Sequence, residues 1–206
     1  MARNMVWTHN HFVPAFLVCF GAYLLGCVAT GYYLVQFVAH RDIRAGGSGT
    51  VGARNVGRLL GEWGFTTVML CDFGKGALAV WLARCFTGNE ELSLLALLAV
   101  TAGHIWPAQL KFRGGKGVST SLGALLVFDW RIALTFAAVA GLTALLLRKI
   151  TLGGLTAFAA LPLMALAWRE DPATVSGLLV LAVLVLWAHR KNLEAAMNQP
   201  NVEEKL

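Results

Sequence analysis

Seven apolar runs, at about 12–38, 63–83, 92–110, 117–128, 131–147, 151–168 and 174–188, constrain what this 206-residue chain can fold into more than any motif in it. All but the fourth have the length, or nearly the length, of a helix that crosses a bilayer, and the fourth crosses only if it tilts or the membrane thins around it. With no water in the hydrocarbon to take up backbone N–H and C=O groups, such runs must form helices. The expectation is an all-α polytopic membrane protein of about seven transmembrane helices. With 57% of residues hydrophobic and only 14% charged, a soluble domain of this size would lack the charge to cover its surface. The first run is longer than the apolar core of a signal peptide and lacks a small-residue cleavage site after it, which reads as a retained span. Without linkers, low-complexity tracts or repeats, residues 1–206 read as one membrane domain, with a frayed tail after about 198.

An odd number of spans puts the termini on opposite sides, and the cations choose the sides. With the N-terminus outside, twelve of the seventeen Lys and Arg residues fall inside: Arg41, Arg44, Arg54, Arg58, Lys111, Arg113, Lys116, Arg148, Lys149, Arg190, Lys191 and Lys205. Arg3, Arg84, Arg131 and Arg169 fall outside, and Lys75 lies within a span. The positive-inside rule therefore predicts N-out and C-in. The net charge of +6 is a matter of orientation, and nucleic acid is not an expected partner. Cys19, Cys27, Cys71 and Cys85 have no metal-ligand spacing and read as four small buried hydrophobes, with no metal expected.

Four polar constellations interrupt the apolar pattern, all toward the inner side. Arg44 to Arg58 combines glycines, Ser48, Asn55 and arginines without a carboxylate, and Gly103 to Thr120 combines Gly114, Gly115 and Gly117 with Lys111, Arg113 and Lys116. Glycines let several N–H groups converge on one anion while the cations supply charge. Pro107 should end the third span, and Gly114 to Gly117 should lead into the fourth, whose first N–H groups would face a phosphate. A nucleotide P-loop would need glycine at Leu110 and a hydroxyl at Gly117, so ATP is not the expected anion. Asp72 and Lys75, three apart in the second span, should pair and support the site. His189 and Asn192 share a face at the end of the last run.

These residues resemble the PlsY family of bacterial membrane glycerol-3-phosphate acyltransferases, which use acyl phosphate. Gly47-Ser48-Gly49 with Gly52-Ala53, Asn55 and Arg58 is similar to its first motif, and Asp72-x-x-Lys75-Gly76 to its second-span signature. Gly103-His104-x-x-Pro107 through Phe112-x-Gly114-Gly115-Lys116-Gly117-Val118 and Thr120 resembles the second motif, and His189-x-x-Asn192 the start of the third. Thr50 stands where the family usually has Asn, Arg54 where a small hydroxyl residue is common, and the match fades after Asn192.

The resemblance implies transfer of an acyl group from acyl phosphate to the sn-1 hydroxyl of glycerol 3-phosphate, giving lysophosphatidate and phosphate at the cytoplasmic face of the inner membrane. No cofactor is implied, and the partners are the two substrates and membrane lipid. Ser48, Arg58, Lys116, His189 and His104 are the implied catalytic residues. Gly49, Asn55, Gly114, Gly115, Gly117, Thr120 and Asn192 are the implied substrate-binding residues. Lys116 and the backbone of Gly114 to Gly117 would take the acyl phosphate, and Ser48, Arg58, His189 and Asn192 the glycerol 3-phosphate. For the base, His104, His189 and the substrate phosphate, with a second pKa of about 6, all remain open. A transporter of organic phosphates would need polar groups through the bilayer, yet apart from Asp72 and Lys75 the spans are dry. A related acyltransferase with another acceptor is the second alternative.

Overall fold

In a computed structural model, residues 12–190 form eight α-helices joined by short turns, with no strand among the described residues. They are α1 (Phe12–Cys27), α2 (Thr30–Ala39), α3 (Ala53–Thr87), α4 (Glu90–Ile105), α5 (Val118–Phe128), α6 (Trp130–Leu147), α7 (Ile150–Ala167) and α8 (Pro172–Ala188). Five stretches are long and apolar enough to cross a membrane: Val13–Ala39, Ala53–Thr87, Glu90–Leu110, Trp130–Leu147 and Ile150–Ala167. The two shorter apolar helices, α5 and α8, bring the total to the seven units read from sequence. At 11 residues α5 is about 16 Å long, roughly half the hydrocarbon thickness.

Two expected spans differ in detail. The first is broken at Val28 and Ala29, where no proline signals a break. A broken helix leaves carbonyls unpaired, which is costly in a membrane. Here Lys75 Nζ donates to the Val28 carbonyl at 2.7 Å, and the Gln109 side-chain amide donates to the Cys27 carbonyl. The second span starts at Ala53 rather than near residue 63 and bends at Gly61, where φ is 77°. Its first two turns thereby fold back against the body of the helix, with Gly57 close to Phe65, and carry Arg54 and Arg58 at the end of the bundle that the cation count makes the inner one.

The core runs through α3 to α8, with Val80, Leu97, Val100, Leu125, Ile132, Phe158, Leu161 and Leu178 buried together. Phe136 and Phe158 meet edge to face at 4.7 Å. Where α3 crosses α5, a Cβ at Gly76 would strike the Thr120 carbonyl and one at Gly123 the Phe73 carbonyl. Small residues let these backbones meet, which is how helices associate where lipid competes equally for apolar surface. The outer surface is correspondingly apolar: Phe37 and Phe86 are each 83% exposed and Leu145 75%. Cysteines are divided between these environments. Cys27 is buried and Cys19 half-buried, whereas Cys71 and Cys85 are exposed on α3, so the expectation of four buried cysteines fails for these two. Apolar character alone cannot separate a core position from a lipid-facing one when both surroundings are apolar.

Candidate active site

The loop between α2 and α3 is built around Asn55. Its side-chain Oδ1 accepts from the Ser48 N–H at 2.9 Å, and Nδ2 lies 3.1 Å from the carbonyls of Ile43 and Gly46 and 2.9 Å from that of Thr50. These bonds occupy the amide, and the residue is only 2% exposed. Asn55, expected to touch substrate, instead holds the loop that presents Ser48. The Ser48 hydroxyl sits exposed at the loop tip, 3.0 Å from the Thr50 hydroxyl, between Gly47 and Gly49, which both have positive φ.

The second loop leaves α4 at Ile105, passes Pro107 and enters α5 at Val118, as the glycine and proline pattern predicts. Two contacts lace it to the first loop: the Val51 N–H donates to the Gly114 carbonyl at 3.4 Å, and Arg44 Nη1 donates to the Leu110 carbonyl at 2.8 Å. Gly114 and Gly115 are not free donors, because their N–H groups bond the carbonyls of Ile105 and His104. Their value is closeness instead. A Cβ at Gly114 would strike the His104 carbonyl, and one at Gly115 would strike the His104 ring. Gly117, with φ 83°, starts α5 without a side-chain cap, so the donors left to an anion are those after Gly115, in the first turn of α5.

Beneath this loop lies a buried polar knot. Asp72 Oδ1 is 2.8 Å from Lys75 Nζ, an ion contact at an angle outside hydrogen-bond geometry, and 3.6 Å from His104 Nδ1. Lys75 Nζ is also 2.9 Å from His104 Nδ1. An ammonium only donates, so Nδ1 accepts and the ring proton sits on Nε2, which packs against Gly115. In this tautomer His104 has no lone pair left to take a proton from a substrate. The support expected of Asp72 and Lys75 therefore includes His104 and extends through Val28 to the break in the first span. Thr120 is fully buried with its hydroxyl unpartnered among the described residues, so it does not reach the loop surface where a substrate would meet it.

Above the knot the cations gather. Burial, with the guanidinium groups of Arg54 and then Arg58 nearby, holds the Lys116 ammonium below the ordinary lysine range. Burial also pushes His189 down against its bond to the Val185 carbonyl, and the charges of Lys116 and Arg54 add to the downward push. His189 Nδ1 lies 2.8 Å from that carbonyl, which only accepts; Nδ1 carries the proton and Nε2 offers a lone pair. Arg54 and Arg58, one turn apart on α3, line a cleft of about 280 Å³ with Gly57, Gly61, Glu62 and Phe65. Among the described residues Lys116, Arg54 and Arg58 form no salt bridge. The structure thus brings Lys116 within reach of the charges of Arg58 and Arg54, and His189 within reach of those of Lys116 and Arg54. Asn192 lies outside the described residues.

The comparisons with known proteins agree on one family. Residues 16–199 match the family described as glycerol-3-phosphate acyltransferase. Glycerol-3-phosphate acyltransferase 1 of Desulfitobacterium hafniense (strain Y51) is 45% identical over 179 residues, covering 87% of this chain and 89% of its own. The glycerol-3-phosphate acyltransferase of Gloeobacter violaceus is 43% identical over 178 residues, covering 84% of this chain and 86% of its own. A crystal structure of PlsY, an integral membrane glycerol 3-phosphate acyltransferase in its glycerol 3-phosphate form, superposes with a TM-score of 0.82 at 30% identity, over 89% of this chain and 92% of that one. The lysophosphatidic acid form of the same protein gives a TM-score of 0.79.

Proposed function

This chain belongs to the glycerol-3-phosphate acyltransferase family, and from that membership we propose that its inner-end loops join an acyl phosphate to glycerol 3-phosphate. It is a multi-pass membrane acyltransferase whose acceptor is glycerol 3-phosphate and whose product is lysophosphatidate. The observation that carries the site is the convergence of Lys116, Arg58, Arg54 and His189 with no salt-bridging carboxylate among the described residues, which suits a reaction whose two substrates both carry phosphate. The acyl chain stays in the bilayer while its phosphate head meets Lys116 and the N–H groups that open α5. Arg58 and Ser48 hold the phosphate of the acceptor. Neutral His189 takes a hydrogen bond from a glycerol hydroxyl through Nε2, a role that suits its lone pair better than binding phosphate directly.

In the reaction, the sn-1 hydroxyl oxygen attacks the acyl carbonyl carbon, the new ester C–O bond forms and the bond from carbon to the phosphate oxygen breaks. The hydroxyl proton passes to a substrate phosphate, and inorganic phosphate leaves. The N–H groups after Gly115 stabilise the developing oxyanion, and loss of one such donor typically costs about 3 kcal/mol. His104 is a positioning residue, since its ring fixes Gly115 and its Nδ1 is taken by Lys75. The twelve inner cations favour a site on the cytoplasmic side of the inner membrane.

The test uses purified protein in bilayers with glycerol 3-phosphate and either acyl phosphate or acyl-CoA. Lysophosphatidate is expected from acyl phosphate, and its absence there overturns the donor assignment. His104→Gln is expected to keep measurable turnover; loss of turnover with substrate binding intact would make His104 the base instead.

A further inference from the structure

Arg54 differs in what holds it from the four other arginines whose side chains have a protein partner among the described residues. Arg44 is paired with Asp42, and Arg131 with Asp129 and Glu170. Arg84 and Arg190 donate to backbone carbonyls. Arg54 donates Nη1 to a single neutral hydroxyl, Thr151 Oγ1, at 2.5 Å, in the first turn of α7. A guanidinium carries five N–H donors in a fixed fork, so one hydroxyl leaves most of that capacity unused.

Its position gives the unused capacity a target. Arg54 lies one turn before Arg58 on the same face of α3, and both line the cleft of about 280 Å³ that Gly57, Gly61, Glu62 and Phe65 complete. Its charge reaches both Lys116, from the second glycine loop, and His189, at the end of α8. Glu62 is the one carboxylate lining the cleft, and it forms no ion pair with either arginine among the described residues. A cation between three groups assigned to phosphate and acceptor binding, held only by a hydroxyl, is poised to exchange that hydroxyl for a phosphate oxygen.

We propose that Arg54 is a further substrate-binding residue of this enzyme, grasping a terminal phosphate dianion beside Arg58 and Lys116, and that Thr151 holds its guanidinium in place while the site is empty. The proposal rests on the assignment of the inner-end loops as the acyl-transfer site and names one more group within it. The phosphate belongs either to glycerol 3-phosphate or to the acyl phosphate, and the experiment separates them. Charge-assisted, bidentate bonds from Arg to phosphate are the strong kind, so removing this one should weaken binding by about tenfold or more.

The experiment compares wild type with Arg54→Thr, Arg54→Lys and Thr151→Val in bilayers. It reads KM for each substrate with the other saturating, kcat, and the Kd of inorganic phosphate by calorimetry. Arg54→Thr is expected to raise the phosphate Kd and the KM of one substrate by about tenfold while kcat stays within about twofold. Which KM rises identifies the phosphate that Arg54 holds. Arg54→Lys should recover part of the loss, which also shows that the site remains folded. Thr151→Val should lower the phosphate Kd, because no hydroxyl competes for the guanidinium. An unchanged phosphate Kd and unchanged KM values in Arg54→Thr would overturn the proposal, as would a loss confined to kcat. If wild type makes no lysophosphatidate from acyl phosphate, it is the donor reading that fails, and the phosphate Kd still decides the role of Arg54.

Discussion

The two ends of this helix bundle, here called outer and inner after the side to which the cation count assigns them, are finished in opposite ways. At the outer end α4, α6 and α8 each begin with a side-chain cap: Asn89 Oδ1 accepts from the Leu92 N–H at 3.0 Å, Asp129 takes the N–H groups of Arg131 and Ile132, and Asp171 those of Ala173 and Thr174. Of the cations there, Arg131 is matched by Asp129 and Glu170 and lies over the Trp168 ring, Arg84 donates to the Val127 carbonyl, and Arg169 alone has neither a carboxylate nor a carbonyl partner among the described residues. At the inner end α3, α5 and α7 begin at Gly52, Gly117 and Lys149 with no side-chain cap, and Arg54, Arg58 and Lys116 have no carboxylate partner among the described residues. A cap contributes about 1 kcal/mol to a helix, so omitting one at three helix starts forgoes available stability. The inner end keeps positive charge and N–H donors unsatisfied by protein, and an anionic substrate can then satisfy them.

The contrast breaks most sharply if the inner cations are removed. Arg58→Gln is expected to lower kcat/KM by roughly a hundredfold or more, since charge-assisted hydrogen bonds to phosphate are lost. Steady-state rates, with circular dichroism to confirm an intact bundle, would check it.

A smaller effect comes from making the inner end resemble the outer one. Gly52 has φ −73° and open space around a Cβ, with only the Thr50 hydroxyl at 3.9 Å, so Gly52→Asp fits without strain. The new carboxylate would cap α3 and compete with substrate phosphate. Expected are a kcat/KM lower by about tenfold and a thermal midpoint at or above that of wild type.

The smallest effect is one of pH. Lys116 is held below the ordinary lysine range, so its charge is full below that lowered pKa and is lost as pH rises through it. The alkaline fall in kcat/KM should therefore begin earlier than for an unperturbed lysine. Lys116→Arg, always charged, should flatten that limb in whatever activity remains.

Much of this contrast was legible in the sequence because it is written in local pattern. Pro107 and the glycines after Phe112 marked where α4 stops and α5 starts, and the three-residue spacing of Asp72 and Lys75 marked their pairing. What was hidden depends on partners far along the chain. The break at Val28 is made tolerable by Lys75 and Gln109, 47 and 82 residues from the carbonyls they bond. Asn55 looked like a ligand because a buried amide and an exposed one read alike, and only its bonds to Ser48, Ile43, Gly46 and Thr50 separate them. Arg54 was visible only as an irregular motif position; the fold of α3 at Gly61 is what carries it beside Lys116.

On this view the end with uncapped helix starts and carboxylate-free cations does the chemistry and the capped end does not. That division is tested most directly by measuring kcat/KM for lysophosphatidate formation in Lys116→Met and in Arg131→Gln, side by side in the same bilayers. A severe loss is expected for Lys116→Met and wild-type rates for Arg131→Gln. Equal losses in the two variants, or an active Lys116→Met, would contradict it.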